Sequence, residues 1–284
     1  MSVSRRTAVK SAAAFGILSG ATKLGLQAEA ASAKGRLHQS VCKWCYRDMT
    51  LDELAQHAAK MGIVAIDLLT EEEWPVLEKY GLKCSMGSGI NPIPDGLNAR
   101  ENHKTIEANF RKLLPAAKKH GVPSLICFSG NRRDVSDEEA WENCAELLRK
   151  VTPQAEDLGV TIQMELLNSK VNHPDYQCDH TAWGVELCRR VDSPRFKLLY
   201  DIYHMQIMEG DVIRNIRDNA QYLGHYHTGG NPGRNEIDQS QELNYPAISK
   251  AIADLGFEGY FAHEFIPLRD PVTSLRQAVR ICTV

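Results

Sequence analysis

Eight short apolar runs of strand character alternate with longer runs of helical period, and this alternation constrains the fold more than any other feature. The strand-like runs are "QSVCKWCY" (39–46), "IVAIDLL" (63–69), "KCSMG" (83–87), "SLICFSG" (124–130), "VTIQMEL" (160–166), "FKLLYD" (196–201), "QYLGHYH" (221–227) and "GYFAHEF" (259–265). Between them lie segments such as "LDELAQHAAKMG", "EEEWPVLEKYG", "DVIRNIRDN" and "NYPAISKAIADLG", and "PVTSLRQAVRIC" closes the chain. Several end in Gly, the usual residue just past a helix C-terminus. Continuous apolar strands joined by helices imply a parallel sheet buried on both faces. Eight of each over about 245 residues fit a single-domain α/β fold, the (β/α)8 barrel, for which roughly 250 residues is typical. An open doubly wound sheet would carry fewer strands and a Gly-rich phosphate loop. "GGNPGRNE" (229–236) is the nearest candidate for that loop, but no helix opens at its second Gly.

Residues 1–33 are of another kind. "SRRTAVK" is followed by a weakly apolar "SAAAFGILSGATKLGLQ" and by "AEAASA". A twin-arginine start, a short apolar middle and small residues spell an export signal, with cleavage after Ala30 or Ala33 and a periplasmic destination. Ala8 departs from the strongest form of the pattern, where Phe is usual. The middle is too short and too interrupted to span a membrane, so residues 34–284 are expected as the catalytic domain, with no membrane partner after signal removal. Losing the leader's four cations and one anion moves the formal charge from −3 to about −6. A mildly acidic protein argues against nucleic acid as partner. The eight cysteines lie mostly in apolar segments, where a buried thiol acts as a small hydrophobe. "CKWC" (42–45) has no second CxxC to complete a zinc site, and in a strand its two thiols would point to opposite faces.

Ionisable residues at the C-terminal ends of barrel strands point into the mouth, where such folds place their active sites. Glu165 ends the fifth run, Asp201 the sixth, His225 and His227 the seventh, and Glu264 the eighth. These strands are consecutive, so their ends adjoin. Three carboxylates buried together without compensation would repel and cost several kcal/mol each in desolvation. A divalent cation removes that cost, and a Glu, Asp, His, Glu set suits Mn²⁺ or Mg²⁺, with Co²⁺ or Zn²⁺ also compatible. Of the two histidines, His227 is nearer the barrel top and is favoured as the ligand. His204, one short turn after Asp201, is placed to reach substrate. His263, next to Glu264, faces the helices and is expected to be structural.

"LLYDIYHMQIMEGD", "PGRNE" and the set Glu165, Asp201, His227, Glu264 resemble the xylose-isomerase-like TIM barrels over about residues 39 to 283. Hydroxypyruvate isomerases look nearest, then ketose 3-epimerases. The resemblance implies one metal ion held by those four residues, with Glu165 and Glu264 also acting as an acid/base pair on an α-hydroxycarbonyl substrate. The proton leaves one carbon, an enediolate forms, and the proton returns at the neighbouring carbon (isomerisation) or the same carbon (epimerisation). A lyase acting on keto-sugars would use the same enediolate. His204 and Arg234 match substrate-contacting positions of the family, and a guanidinium suits a carboxylate or a sugar hydroxyl. His227 stands where hydroxypyruvate isomerases tend to carry Gln and the epimerases His. Leu166 stands where the former tend to have Pro. Trp44 and Tyr46 are candidates to wall the pocket. Asn131 and Arg132 are candidates to reach the mouth, and Lys170 or His173 to touch substrate from the polar loop 168–180. A homo-oligomer remains open.

Two other classes were weighed. A related barrel repairs DNA with three zinc ions and needs His at the ends of strands two and three, which "IDLLTEEEW" and "KCSMGSG" do not supply. A non-catalytic carbohydrate-binding barrel would keep the pocket but would not need two facing glutamates.

Overall fold

The computed structural model describes residues 35–284; the export leader expected at 1–33 lies outside them. Eight parallel strands close into a barrel: β1 (His38–Cys42), β2 (Ala65–Leu69), β3 (Lys83–Gly87), β4 (Ser124–Cys127), β5 (Thr161–Leu166), β6 (Phe196–Asp201), β7 (Leu223–Thr228) and β8 (Tyr260–His263). β8 returns to β1 in parallel register, with Ser40 opposite Ala262, so the sheet has no edge. Among the described residues, eight α-helices surround it: α1 (Leu51–Met61), α2 (His103–His120), α3 (Asp137–Leu158), α4 (Thr181–Val191), α5 (Ile202–Met208), α6 (Val212–Asn219), α7 (Tyr245–Asp254) and α8 (Pro271–Ile281). No helix among the described residues is long and apolar enough to cross a membrane.

The strands alternate between two cores. Ile162, Met164 and Leu166 of β5, with Leu198 and Tyr200 of β6, pack into the large cluster shared with the helices. Leu199 alternates with Leu198 and Tyr200 and joins Met86 and Ile126 in a separate, smaller cluster, which places that cluster inside the barrel. Inward positions nearer the mouth are polar. Local signals hold the helices in phase with this sheet. Thr50 and Glu53 form a reciprocal capping box on α1, and Gly62 ends it in the left-handed conformation at φ 82°.

Three local expectations are corrected. Residues 71–81 form no α-helix; Trp74–Tyr80 is a 3-10 helix, with Pro75 in its first turn and the Trp74 indole held on the Leu69 carbonyl at 3.0 Å. The first strand ends at Cys42 rather than Tyr46, because Lys43–Cys45 turns as a 3-10 helix, so the strand argument about "CKWC" does not apply. All eight cysteines are buried and unbridged. Between β6 and β7 lie two helices, not one. Asp201 caps α5 by accepting the His204 backbone N–H at 3.2 Å, and the left-handed residues Gly210 and Asp211 separate it from α6.

The β3–α2 loop crosses the end of β4 with two glycines in contact. A Cβ on Gly96 would lie 2.1 Å from the Gly130 backbone nitrogen. Neither chain can yield cheaply there, so Gly96→Ala is expected to destabilise the barrel by about 1–3 kcal/mol. The measurement is a denaturant midpoint; an unchanged midpoint contradicts this close approach.

Candidate metal centre

Neighbouring strand ends bring four side chains to one point. Asp201 at the end of β6 is opposite His227 in β7, and the Glu264 backbone N–H continues the ladder to the Thr228 carbonyl at 3.1 Å. Glu165 comes from β5. Glu165, Asp201, His227 and Glu264 are all buried, and one ligand atom from each lies within 4.8 Å of the others. His227 Nδ1 is 2.7 Å from Glu264 Oε2 and 3.2 Å from Glu165 Oε1. Its other nitrogen, Nε2, is 3.1 Å from Asp67 Oδ2. With the Nε2 proton given to Asp67, Nδ1 faces two carboxylate oxygens; burial pushes the imidazole down, but Glu264 and its other neighbours outweigh it and push His227 up, so a proton on Nδ1, or a cation in its place, satisfies this set. Three oxygens and one imidazole nitrogen converging this way fit a divalent cation.

One protein cation also serves the cluster. Arg234 is 8% exposed and left-handed at φ 57°. Its Nη2 donates to Asp201 Oδ2 at 2.8 Å and contacts Glu264 Oε2, while its Nε donates to the Glu264 carbonyl at 3.3 Å. Nη1 lies 2.6 Å from His204 Nε2. The guanidinium is flanked by the Trp44 ring at 5.4 Å and the Tyr203 ring at 5.1 Å.

These surroundings separate the carboxyl groups. Burial pushes Glu165 up, against its hydrogen bond from His227. Burial raises Asp201 to about 7, opposed by Arg234. Burial also raises Glu264, but Arg234, His227 and the Trp44 indole outweigh it and hold this carboxyl well below its usual range. Burial and Arg234 push the His204 imidazole down.

The other sequence candidates fall into two groups. Trp44 is at the site: its indole N–H donates to Glu264 Oε1 at 2.5 Å. His204 is there too but fully buried, its Nδ1 accepting the Asn168 backbone N–H at 3.2 Å. His173 packs against His204 with ring centroids 5.3 Å apart and the rings tilted by 60°. Lys170 is corrected: it is exposed, and its ammonium caps α5 by donating to the carbonyls of Ile207 (3.2 Å) and Met208 (3.0 Å), so the structure does not bring it to the cluster. Arg132 pairs with Asp137 at 2.6 Å. His225 contacts Asp67 at 2.6 Å, and His263 pairs with Gln39 at 2.8 Å. Sequence reasoning passed over Asp67, Tyr203 and Asn168. Only Asp67 had left a signal, as a lone acid inside the apolar run "IVAIDLL".

Residues 55–282 match the profile of the xylose isomerase-like TIM barrels. The chain belongs to this family. Among curated relatives, a D-psicose 3-epimerase from Ruminiclostridium cellulolyticum is 35% identical over 221 residues, 75% of this chain and 67% of that protein. Relatives from Xenopus laevis, Homo sapiens and Danio rerio carry hydroxypyruvate isomerase in their names. The human one is 32% identical over 181 residues, 60% of this chain and 64% of its own. The chain spans between 53% and 64% of the length of those three. Among solved structures, a 3-keto-D-glucoside 4-epimerase from E. coli superposes with a TM-score of 0.73 at 18% identity, over 87% of this chain and 100% of that one. That likeness speaks for the fold.

Removing Arg234 leaves two buried carboxylates, Asp201 and Glu264, without their guanidinium. Arg234→Met is expected to destabilise by about 3–5 kcal/mol. Added Mn²⁺ is expected to raise the variant's melting temperature more than that of the wild type. Equal shifts in calorimetry would contradict the view that one charge deficit serves both cations.

Proposed function

We propose that this protein is a metal-dependent isomerase or epimerase of small α-hydroxycarbonyl compounds, acting through an enediolate. The observation that carries the reading is the convergence of Glu165, Asp201, His227 and Glu264 within 4.8 Å, with two glutamates whose proton affinities are driven apart. Paired carboxyls so separated are the disposition a proton relay needs. A divalent cation, Mn²⁺ or Mg²⁺ by the hardness of its donors, would supply polarisation of the substrate's carbonyl and hydroxyl oxygens.

The chain's own residues do the rest. Glu264, held low in proton affinity, and Glu165, held high, exchange the proton of the carbon bearing the hydroxyl. The Trp44 indole fixes Glu264 through Oε1 and leaves Oε2 turned to the cluster. His204 is held at both ring nitrogens, by the Asn168 backbone N–H at Nδ1 (3.2 Å) and by Arg234 Nη1 at Nε2 (2.6 Å). Trp44 and Tyr203 offer ring faces to a carbon skeleton.

Relatives named as isomerases favour return of the proton at the neighbouring carbon. The 35%-identical D-psicose 3-epimerase favours return at the same carbon, as does His227 in place of Gln. The twin-arginine leader supports an exported, periplasmic protein, and N-terminal sequencing of the mature chain from the periplasm should begin after Ala30 or Ala33. A cytoplasmic chain that retains Met1 would overturn the export reading.

The test of the reaction is deuterium exchange from solvent into hydroxypyruvate, tartronate semialdehyde, common ketoses and 3-keto-glycosides, with Mn²⁺ and with chelator. Exchange that requires the metal, and that falls by about 10²- to 10⁴-fold in Glu165→Gln and in Glu264→Gln, is expected. Binding without exchange would instead identify a carbohydrate-binding barrel.

A further inference from the structure

A second buried polar cluster lies beside the first, and its centre is Asp67. This carboxylate is fully buried in β2. The strand is irregular there: its register against β3 shifts on both sides of Asp67, and Leu68 is left-handed at φ 62°. Such bulges re-aim a side chain. Here Asp67 turns inward to four donors. Oδ1 accepts Ser40 Oγ at 2.5 Å and also Ser85 Oγ. Oδ2 accepts His225 Nε2 at 2.6 Å and His227 Nε2 at 3.1 Å. The two imidazoles meet edge to face with centroids 5.2 Å apart.

We propose that Asp67 is a positioning residue for the metal centre: it holds His227 as the Nε2–H tautomer and so presents the Nδ1 lone pair to the cation. This rests on the reading above that a cation is held there. An imidazole bound to a metal generally gives its other N–H to a carboxylate, which sets ring orientation and strengthens the donor nitrogen. The serines occupy Oδ1 and leave Oδ2 to the rings. His225 buttresses the His227 ring from the side. Burial of this carboxylate is offset by its four donors, two of which are the imidazoles of His225 and His227, so its place in the barrel is tied to those rings.

Two measurements test the proposal independently. In the full chain with Asp67→Asn, the Mn²⁺ dissociation constant, read by competition with a fluorescent chelator, should rise by about 10- to 100-fold. In the wild type loaded with Zn²⁺, nitrogen NMR of ¹⁵N-histidine should show His227 protonated on Nε2 and metal-bound through Nδ1. The second result does not depend on the variant folding. An Asp67→Asn protein that binds Mn²⁺ within twofold of the wild type overturns the proposal, as does a proton on His227 Nδ1. Failure of the wild type to bind any divalent cation sinks the metal reading as well, whereas tight wild-type binding with an unaffected variant sinks this proposal alone.

Discussion

Negative charge in a dry place is the constraint around which this barrel is arranged. Glu165, Asp201 and Glu264 meet at one rim with almost no access to water. Each would cost several kcal/mol to desolvate alone, and each repels the others. A barrel interior does not tolerate such a set unless positive charge enters it. Arg234 brings one charge, shared between Asp201 and Glu264. Glu165 touches His227 instead. A single guanidinium does not balance three carboxylates, and the remaining deficit is what would suit the cluster to a bound cation.

The surrounding loops are built to keep that guanidinium in place. Gly230 and Asn235 form an isolated bridge, the Arg234 backbone N–H closes onto the Gly230 carbonyl at 2.8 Å, and Ile266 N–H binds the Arg234 carbonyl at 2.7 Å. The loop after β7 is thereby tied to the loop after β8. Glu236 extends the tie by accepting the backbone N–H groups of Leu268 and Arg269 at 3.0 and 3.1 Å, and the Ser274 hydroxyl at 2.8 Å. Trp44, from the other side of the barrel seam, stacks on the guanidinium and bonds Glu264. The rim is thus one connected polar structure, and rigidity of this kind lets charges be aimed before substrate arrives.

Most of the barrel was legible in the sequence because parallel strands buried on both faces must read as apolar runs, and because the acids that end them have nowhere to point but the mouth. Asp201 shows how much one residue can carry unseen. Its place at a strand tip was visible, but its Oδ1 also caps α5, a helix whose signal "IYHMQIM" was absorbed into the strand-end motif. Lys170 failed for the opposite reason: a polar loop offers no period, and the α5 carbonyls took its ammonium. Asp67 was hidden by register. Inside β2 it reads as an accident in a hydrophobic stretch, and only the closed barrel brings it against His225 and His227, beside a register shift that Leu68, a residue with no sequence mark of left-handed geometry, does not announce.

One geometry can serve relatives whose names describe different reactions. The pair proposed to handle the proton is fixed to the scaffold: Glu165 inside β5 and Glu264 just past β8, both in contact with the same His227 nitrogen. What differs between isomerisation and epimerisation is which carbon the returning proton meets, and that depends on how the carbon skeleton lies against the loops. The groups available for that task are set apart from the strands: Trp44 after β1, His173 after β5, Tyr203 and His204 in α5, Arg234 after β7. On the proposed reading, the barrel would supply a constant acid/base and cation centre, and its βα segments the choice of substrate. On this division, a change in those loops alters which compound is turned over while leaving the proton chemistry intact. A change at Glu165 or Glu264 would, by the same proposal, remove the chemistry for every substrate alike.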